Sequence, residues 1–198
     1  MHTRRYGDAG QAFPIYITMA AGLLFLALAY FAVGQAAVNR NGAQTAADAA
    51  ALAAAQETRD KLAGEWLEKV LDPATWDDIF NGRGAALDGC ARANQFAAHN
   101  DAEVRSCGQG PRSLSYKVDV QSREPVGKSI VPGTENQYAE ASAIAVIESR
   151  CSFEFPAGNA PVDALPTLDC SGQKWILRPD DLTDLPAPED LFDVHLAD

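Results

Sequence analysis

The sequence is poor in the patterns that carry chemistry. It has no H-E-x-x-H, no G-x-S-x-G and no C-x-x-C, so the common zinc-hydrolase, serine-hydrolase and paired-cysteine zinc signatures are missing. Gly127-Lys128-Ser129 resembles the end of a phosphate-binding loop, but Ser122 stands where that motif needs its first glycine. The segment also falls between strands instead of opening a helix. Of 3 histidines, His2 is terminal, His195 lies in an acidic carboxyl-terminal stretch and His99 falls at a helix end, where the helix dipole accounts for it. The carboxylate pairs Asp77-Asp78, Asp180-Asp181 and Glu189-Asp190 are sequence neighbours, and such side chains do not converge by themselves. Asp180–Asp184 lacks the spaced ligands and glycine of a calcium loop. Trp66, Trp76 and Trp175 read as core or interface aromatics. No enzyme, cofactor or metal site is expected.

Basic residues are also scarce. There are 16 Lys and Arg against 27 Asp and Glu, for a net charge of −11. A nucleic-acid partner would need a basic face, and a body lying flat on anionic lipid would need the same. Charge of either sign is absent from Ala9 to Asn39. Within that gap FPIYITMAAGLLFLALAYFAV is long enough to cross the hydrocarbon layer, which takes about 20 residues as a helix. Pro14 sits near its start, where a missing N–H costs least. Arg4 and Arg5 precede it, which predicts a cytoplasmic amino terminus and an exported remainder. The rival, a signal peptide cut near Gly34-x-Ala36, calls for a shorter apolar run. The 4 cysteines, Cys90, Cys107, Cys151 and Cys170, form an even set that reads as structural disulfides and fits an oxidising compartment.

Past the apolar run, Asn39-Arg40-Asn41-Gly42 reads as a run of weak helix formers, either a hinge at Asn41 and Gly42 or the place where a single long helix crosses the headgroups. Thr45 and Asp48 have capping-box spacing. A helix is then expected to about Leu71, with Leu62, Trp66 and Val70 on one stripe, and Ala63, Leu67 and Leu71 on the next. Glu57–Lys61 and Glu65–Lys69 are favourable i,i+4 pairs. Asp72-Pro73 starts a short helix carrying Trp76, Ile79 and Phe80, ended by Asn81-Gly82. A third helix from about Ala85 to Asn100, carrying Leu87, Cys90, Ala93, Phe96 and Ala97, precedes a strand at Glu103–Cys107. Cys90 lies about 15 Å down that helix from Asn100, and a returning strand covers about 20 Å. That geometry favours Cys90–Cys107, with Cys151–Cys170 as the remainder, although four cysteines allow three connectivities. Leu114, Tyr116, Val118 and Val120 alternate with polar residues as a half-buried strand. A turn-rich loop follows, with a short strand allowed at Ile130-Val131. Residues from Ile144 read as a strand near a sheet centre, and Lys174–Arg178 as an edge strand.

The stretch Gly7–Gln56 resembles the amino-terminal segment of TadE/TadG-like proteins of Flp-type, or tight-adherence, pilus systems. The matching marks are Gly7-Asp8-x-Gly10-Gln11, one apolar span, and Gln44-Thr45-Ala46-Ala47-Asp48-Ala49-Ala50-Ala51-Leu52-Ala53. The resemblance implies a pilin-like or pseudopilin-like subunit or accessory factor of a Flp/Tad pilus or related secretion system, in the cytoplasmic membrane with its head outside. Partners would be other pilus or secretion-platform subunits, or a second copy of the chain. Gly7 and Gly10 are the places where processing would fall. The glutamate that pilins carry five residues later is replaced by Ala12 or Ile15. The metal-binding D-x-S-x-S signature of larger relatives is missing too.

Together these readings give an α+β chain: a long transmembrane helix continuing into an Ala-rich helix, then a small pilin-like head with helices on an antiparallel sheet. The expected divisions are a cytoplasmic stretch at 1–11, a membrane helix at 12–38, an Ala-rich extended helix at 39–72, an extracytoplasmic head at 73–178 and an acidic, poorly ordered tail at 179–198. Ala43, Ala46, Ala47, Ala50, Ala51 and Ala54 are expected to form a slim surface for packing against partner helices, with packing on the chain's own head as the alternative. The alternative function is a tethered binding module whose head recognises an extracellular ligand.

Overall fold

The computed structural model describes residues 12–83, 88–125, 136–155 and 165–197. Gly7, Gly10, Leu87, Ile130-Val131 and the Gly127-Lys128-Ser129 segment lie outside the described residues. The first element, α1, is a single 57-residue helix, Ala12–Glu68, about 85 Å long at 1.5 Å per residue. It passes through Asn41 and Gly42 without a break, which corrects the hinge reading in favour of the single long helix. One helical glycine costs about 1 kcal/mol. A break there would leave several backbone N–H and C=O groups unpaired on each side. Thr45 is no cap either. Its hydroxyl donates to the Asn41 carbonyl one turn back at 2.9 Å, and Gln44 Nε2 donates to Asp48 at 2.8 Å.

Asp72-Pro73 does redirect the chain. A 3-10 turn, Pro73–Thr75, leads into α2, Trp76–Phe80. Asp72 holds the N-cap position, but its side chain caps nothing; the Thr75 hydroxyl donates to the Asp72 carbonyl instead. Gly82 ends the segment with φ +63°, in the left-handed region that glycine enters without penalty. Helix α3 spans Cys90–His99. The strands are β1 Ala102–Gln109, β2 Ser115–Pro125, β3 Tyr138–Ser149, β4 Cys151–Glu154, β5 Thr167–Cys170, β6 Gln173–Ile176 and β7 Phe192–Leu196, with α4, Pro188–Leu191, just before β7.

Two antiparallel sheets result. The larger has the order β1-β2-β3-β7 and the smaller the order β4-β5-β6. β3 is central, as its small and branched residues suggest, and β6 is an edge. Arg150, the single residue between β3 and β4, ties the junction. Its N–H donates to the Leu191 carbonyl, its guanidinium reaches Ser171 Oγ and the Glu189 carbonyl, and its own carbonyl accepts from Ser171. The half of α1 from Ala43 onward lies across the larger sheet with α3 beside it, and the hydrophobic core fills the space between them.

The stretch at 179–198 corrects a second expectation. β7 pairs with Ala145–Ser149 of β3, and Leu191 and Phe192 are both 1 % exposed. Composition alone made the segment look solvated. Leu191 and Phe192 join the core and Leu182, Leu185, Val194 and Leu196 pack against it, and main-chain pairing to β3 is indifferent to net charge. The head therefore takes in the second half of α1 at one end of the sequence and β7 at the other. Leu62, Trp66 and Val70 are buried as expected, but of the adjacent stripe only Ala63 is; Leu67 and Leu71 face outward.

Candidate functional site

α1 changes character along its length. From Phe13 to Val38 its large side chains are exposed all round, Leu23 at 68 % and Tyr30 at 83 % among them. This is the one helix among the described residues that is long and apolar enough to cross a membrane. Five residues past Val38 the surroundings invert. Ala43, Ala46, Ala47, Ala50, Ala51 and Ala54 are each 2 % exposed or less. All six candidate packing residues are therefore occupied inside this chain's own head, against the sheet and α3. That corrects the expectation of a surface held out to partner helices, for a steric reason. Methyl side chains let a helix backbone approach a sheet and a second helix at once, so the face is consumed by its own fold.

The closest approach is at Gly89, just before α3. A Cβ there would lie 2.2 Å from the Ala54 carbonyl oxygen, so only glycine allows α3 to start against α1. The same point holds the polar centre of the head. Thr58 Oγ1 and Tyr116 Oη are 2.7 Å apart, and Tyr116 Oη accepts the Gly89 N–H at 2.9 Å. Thr58 is 1 % exposed and Tyr116 is fully buried. Three elements thus share one hydroxyl, and burying it costs little because it is satisfied. Sequence reasoning passed over Thr58, although it is the one hydroxyl on the buried stripe that runs through Ala47, Ala51, Ala54 and Leu62.

Both disulfides form as the spacing favoured. Cys90, at the start of α3, joins Cys107 of β1 with Cα atoms 5.8 Å apart. Cys151 and Cys170 are directly paired across β4 and β5. One bridge ties a helix to the larger sheet and the other closes the smaller one. Above them runs a chain of aromatic rings. Trp66 meets Trp76 at 5.6 Å, Trp76 meets Phe153 at 5.2 Å, Phe80 meets Phe192 at 5.7 Å, and Phe153 meets Phe155 at 5.8 Å. These contacts join the top of α1 to α2, β7 and the smaller sheet. Phe155 ends the chain in solvent, between a groove of about 460 Å³ that includes Asp77 and Asn81 and one of about 510 Å³ that includes Asp169 and Lys174.

Charged groups sit on the outside. Lys61 lies 2.7 Å from Asp88, and this hydrogen bond raises the ammonium and holds Asp88 below the usual carboxylate range. Hydrogen bonds from Ser106 and Ser142 lower Asp119 in the same way. The pairs Glu57–Lys61 and Glu65–Lys69 are both formed. Among the described residues, no group of three or more His, Cys, Asp or Glu side chains converges on a metal-sized site.

These features define a class: an α+β head carried on one membrane-length helix that also serves as the head's core helix. Residues 10–57 match the Tad family model, described as Flp pilus-assembly TadE/G-like. The match spans both halves of α1 and ends one residue before Thr58, so the alanines it covers are the ones that seat α1 in the head. It supports involvement in Flp pilus assembly. No curated protein and no solved structure matches the chain.

Proposed function

We propose that the chain is a membrane-anchored, pilin-like subunit or accessory factor of a Flp/Tad-type pilus assembly system, working by packing and positioning instead of catalysis. The observation that carries this reading is the continuity of α1. One unbroken helix runs from a charge-free apolar span into the centre of the head, so the position of the head is fixed rigidly to the anchor. A tether would need only a flexible linker, whereas a subunit that must hold its head in register with neighbours gains from a stiff rod. Because the alanines are engaged inside the head, the surface left for helix contacts with other pilus subunits or a second copy is the membrane half. There Gly22 and Gly34 open onto free space, and association rests on close packing. The two arginines before the span support a cytoplasmic amino terminus, and the two disulfides support a head on the oxidising side.

The test is deletion and complementation in the host, with surface filaments scored by electron microscopy. Deletion is expected to abolish them and the intact chain to restore them. Replacing residues 12–38 with an unrelated membrane helix is expected to fail. Normal filaments in the deletion strain would overturn the reading. Filaments restored by the swapped helix would favour a second one, a head that acts through its far end while the helix merely tethers it. The observation behind that alternative is Phe155, exposed between its two grooves.

A further inference from the structure

We infer that the paired strands β2 and β3 make a second membrane contact, their Pro125 and Tyr138 ends resting in the lipid headgroup layer beside α1 with Tyr138 as the interfacial side chain; this rests on the reading of Phe13–Val38 as a membrane span. The direction of β3 is fixed at two points. Near its start, the Ser142 carbonyl accepts from Gln44 of α1. At its end, Ser149 pairs with Phe192, whose ring meets Phe80, which in turn lies beside Trp66. β3 and α1 therefore run the same way, away from the membrane, and the residues of β3 before Ser142 point back towards it.

Tyr138 lies four residues before Ser142, about 13 Å along a strand. Any inclination of the strand to the helix shortens that drop along the axis of α1. Measured down α1 from Gln44 at 1.5 Å per residue, the drop ends level with about residues 35 to 38, inside the uncharged run. Tyr138 pairs with Pro125 of β2, so both strands reach this level. Neither is covered by the head there. Burial along β2 stops after Val120, and β3 is first fully buried at Ala143. A two-stranded ribbon projecting past its core is marginal in water, while the headgroup layer offers a surface to lie on. Tyr138 is 47 % exposed, an aromatic ring with a polar tip at the depth where tyrosine is enriched in membrane proteins. The flanking charges have both signs, Arg123 against Glu124 and Glu140, which suits a zwitterionic headgroup layer better than attraction to anionic lipid.

Tryptophan quenching by brominated phosphatidylcholine tests this with the full chain in nanodiscs. Trp66 sits about 35 Å beyond Ala43 along α1. Trp76 is against it, and Trp175 is in the smaller sheet, so the native chain should be almost unquenched. Val38→Trp reports on the span, and Tyr138→Trp reports on the paired strands, conservatively and at an exposed position. Both variants are expected to gain a component quenched several-fold more than the native tryptophans. Quenching of Val38→Trp without Tyr138→Trp would overturn the strand contact, including the case where the ribbon packs on another protein, and would leave the anchor standing. Quenching of neither would overturn the anchor, and the strand contact with it.

Discussion

The two halves of α1 are the same helix in two solvents. Phe13–Val38 and Ala43–Trp66 are both rich in apolar residues and both continuous helix, yet one exposes nearly every large side chain and the other buries nearly every small one. The first half carries no charge, while the second carries Asp48, Glu57, Arg59, Asp60, Lys61 and Glu65; between their apolar faces the difference is side-chain volume. In lipid, bulky Leu, Phe and Ile cost nothing on any face of a helix. Between a sheet and α3, only alanine, with one glycine opposite at Gly89, leaves room for two neighbours. The Ala-rich block is thus the imprint of the head on its own anchor.

The largest break in this contrast comes from exchanging volumes. Ala50 is fully buried in the core cluster, and Ala50→Leu forces three extra carbons into a packed site. The expected cost is about 3 kcal/mol, the upper part of the usual overpacking range. Leu26→Ala makes the opposite change in the membrane half, where the side chain is 63 % exposed, and is expected to leave the head's unfolding midpoint unchanged. Denaturation in nanodiscs, followed by the near-ultraviolet circular dichroism of Trp66 and Trp76, compares the two. Equal shifts would mean that the two halves do not differ as described.

Much of this contrast was legible in the residues. The uncharged span, the stripe Leu62-Trp66-Val70, the alternation in β2 and both cysteine pairs follow from period and spacing, which are local properties. What the residues hid is tertiary. An alanine face suits another chain or its own sheet equally well, and propensity cannot choose between them. Asn41-Gly42 looked like a hinge because weak helix formers were counted one at a time, whereas helix formation is cooperative across the strong segments on either side. The stretch at 179–198 looked solvated because its seven carboxylates, with no Lys or Arg, stood out over its six large apolar residues. The position of β7 depends on β3, more than forty residues earlier.

A finer probe removes one atom from the point where α1, β2 and α3 meet. Tyr116→Phe keeps the ring and deletes the oxygen that accepts from Gly89 and is hydrogen-bonded to Thr58. Two buried polar groups lose their partner, at an expected cost of about 2 kcal/mol. Thr58→Val in the same background should restore part of it by removing one orphan. Additive losses in the two variants would show that the hydroxyls act separately, and that α1 is held in the head by volume alone.

The smallest effect lies on the sheet face that neither half of α1 covers. Asp119 of β2 accepts a hydrogen bond from Ser106 Oγ, another from Ser142 lowers it further, and Lys117 Nζ stands 3.6 Å away. Its folded value is therefore depressed. A depressed carboxylate stabilises the fold fully above its unfolded value, about 3.9. That contribution is lost as pH falls through the folded value, because the unfolded chain takes up the proton first. Asp88 and Asp181 are lowered as well and act with the same sign. Stability of the head should fall below about pH 4, and Asp119→Asn should flatten that fall slightly while leaving the pH 7 effect of Ala50→Leu unaltered. An acid limb unchanged by Asp119→Asn would show that this pair of serines does not hold the carboxylate in the folded head.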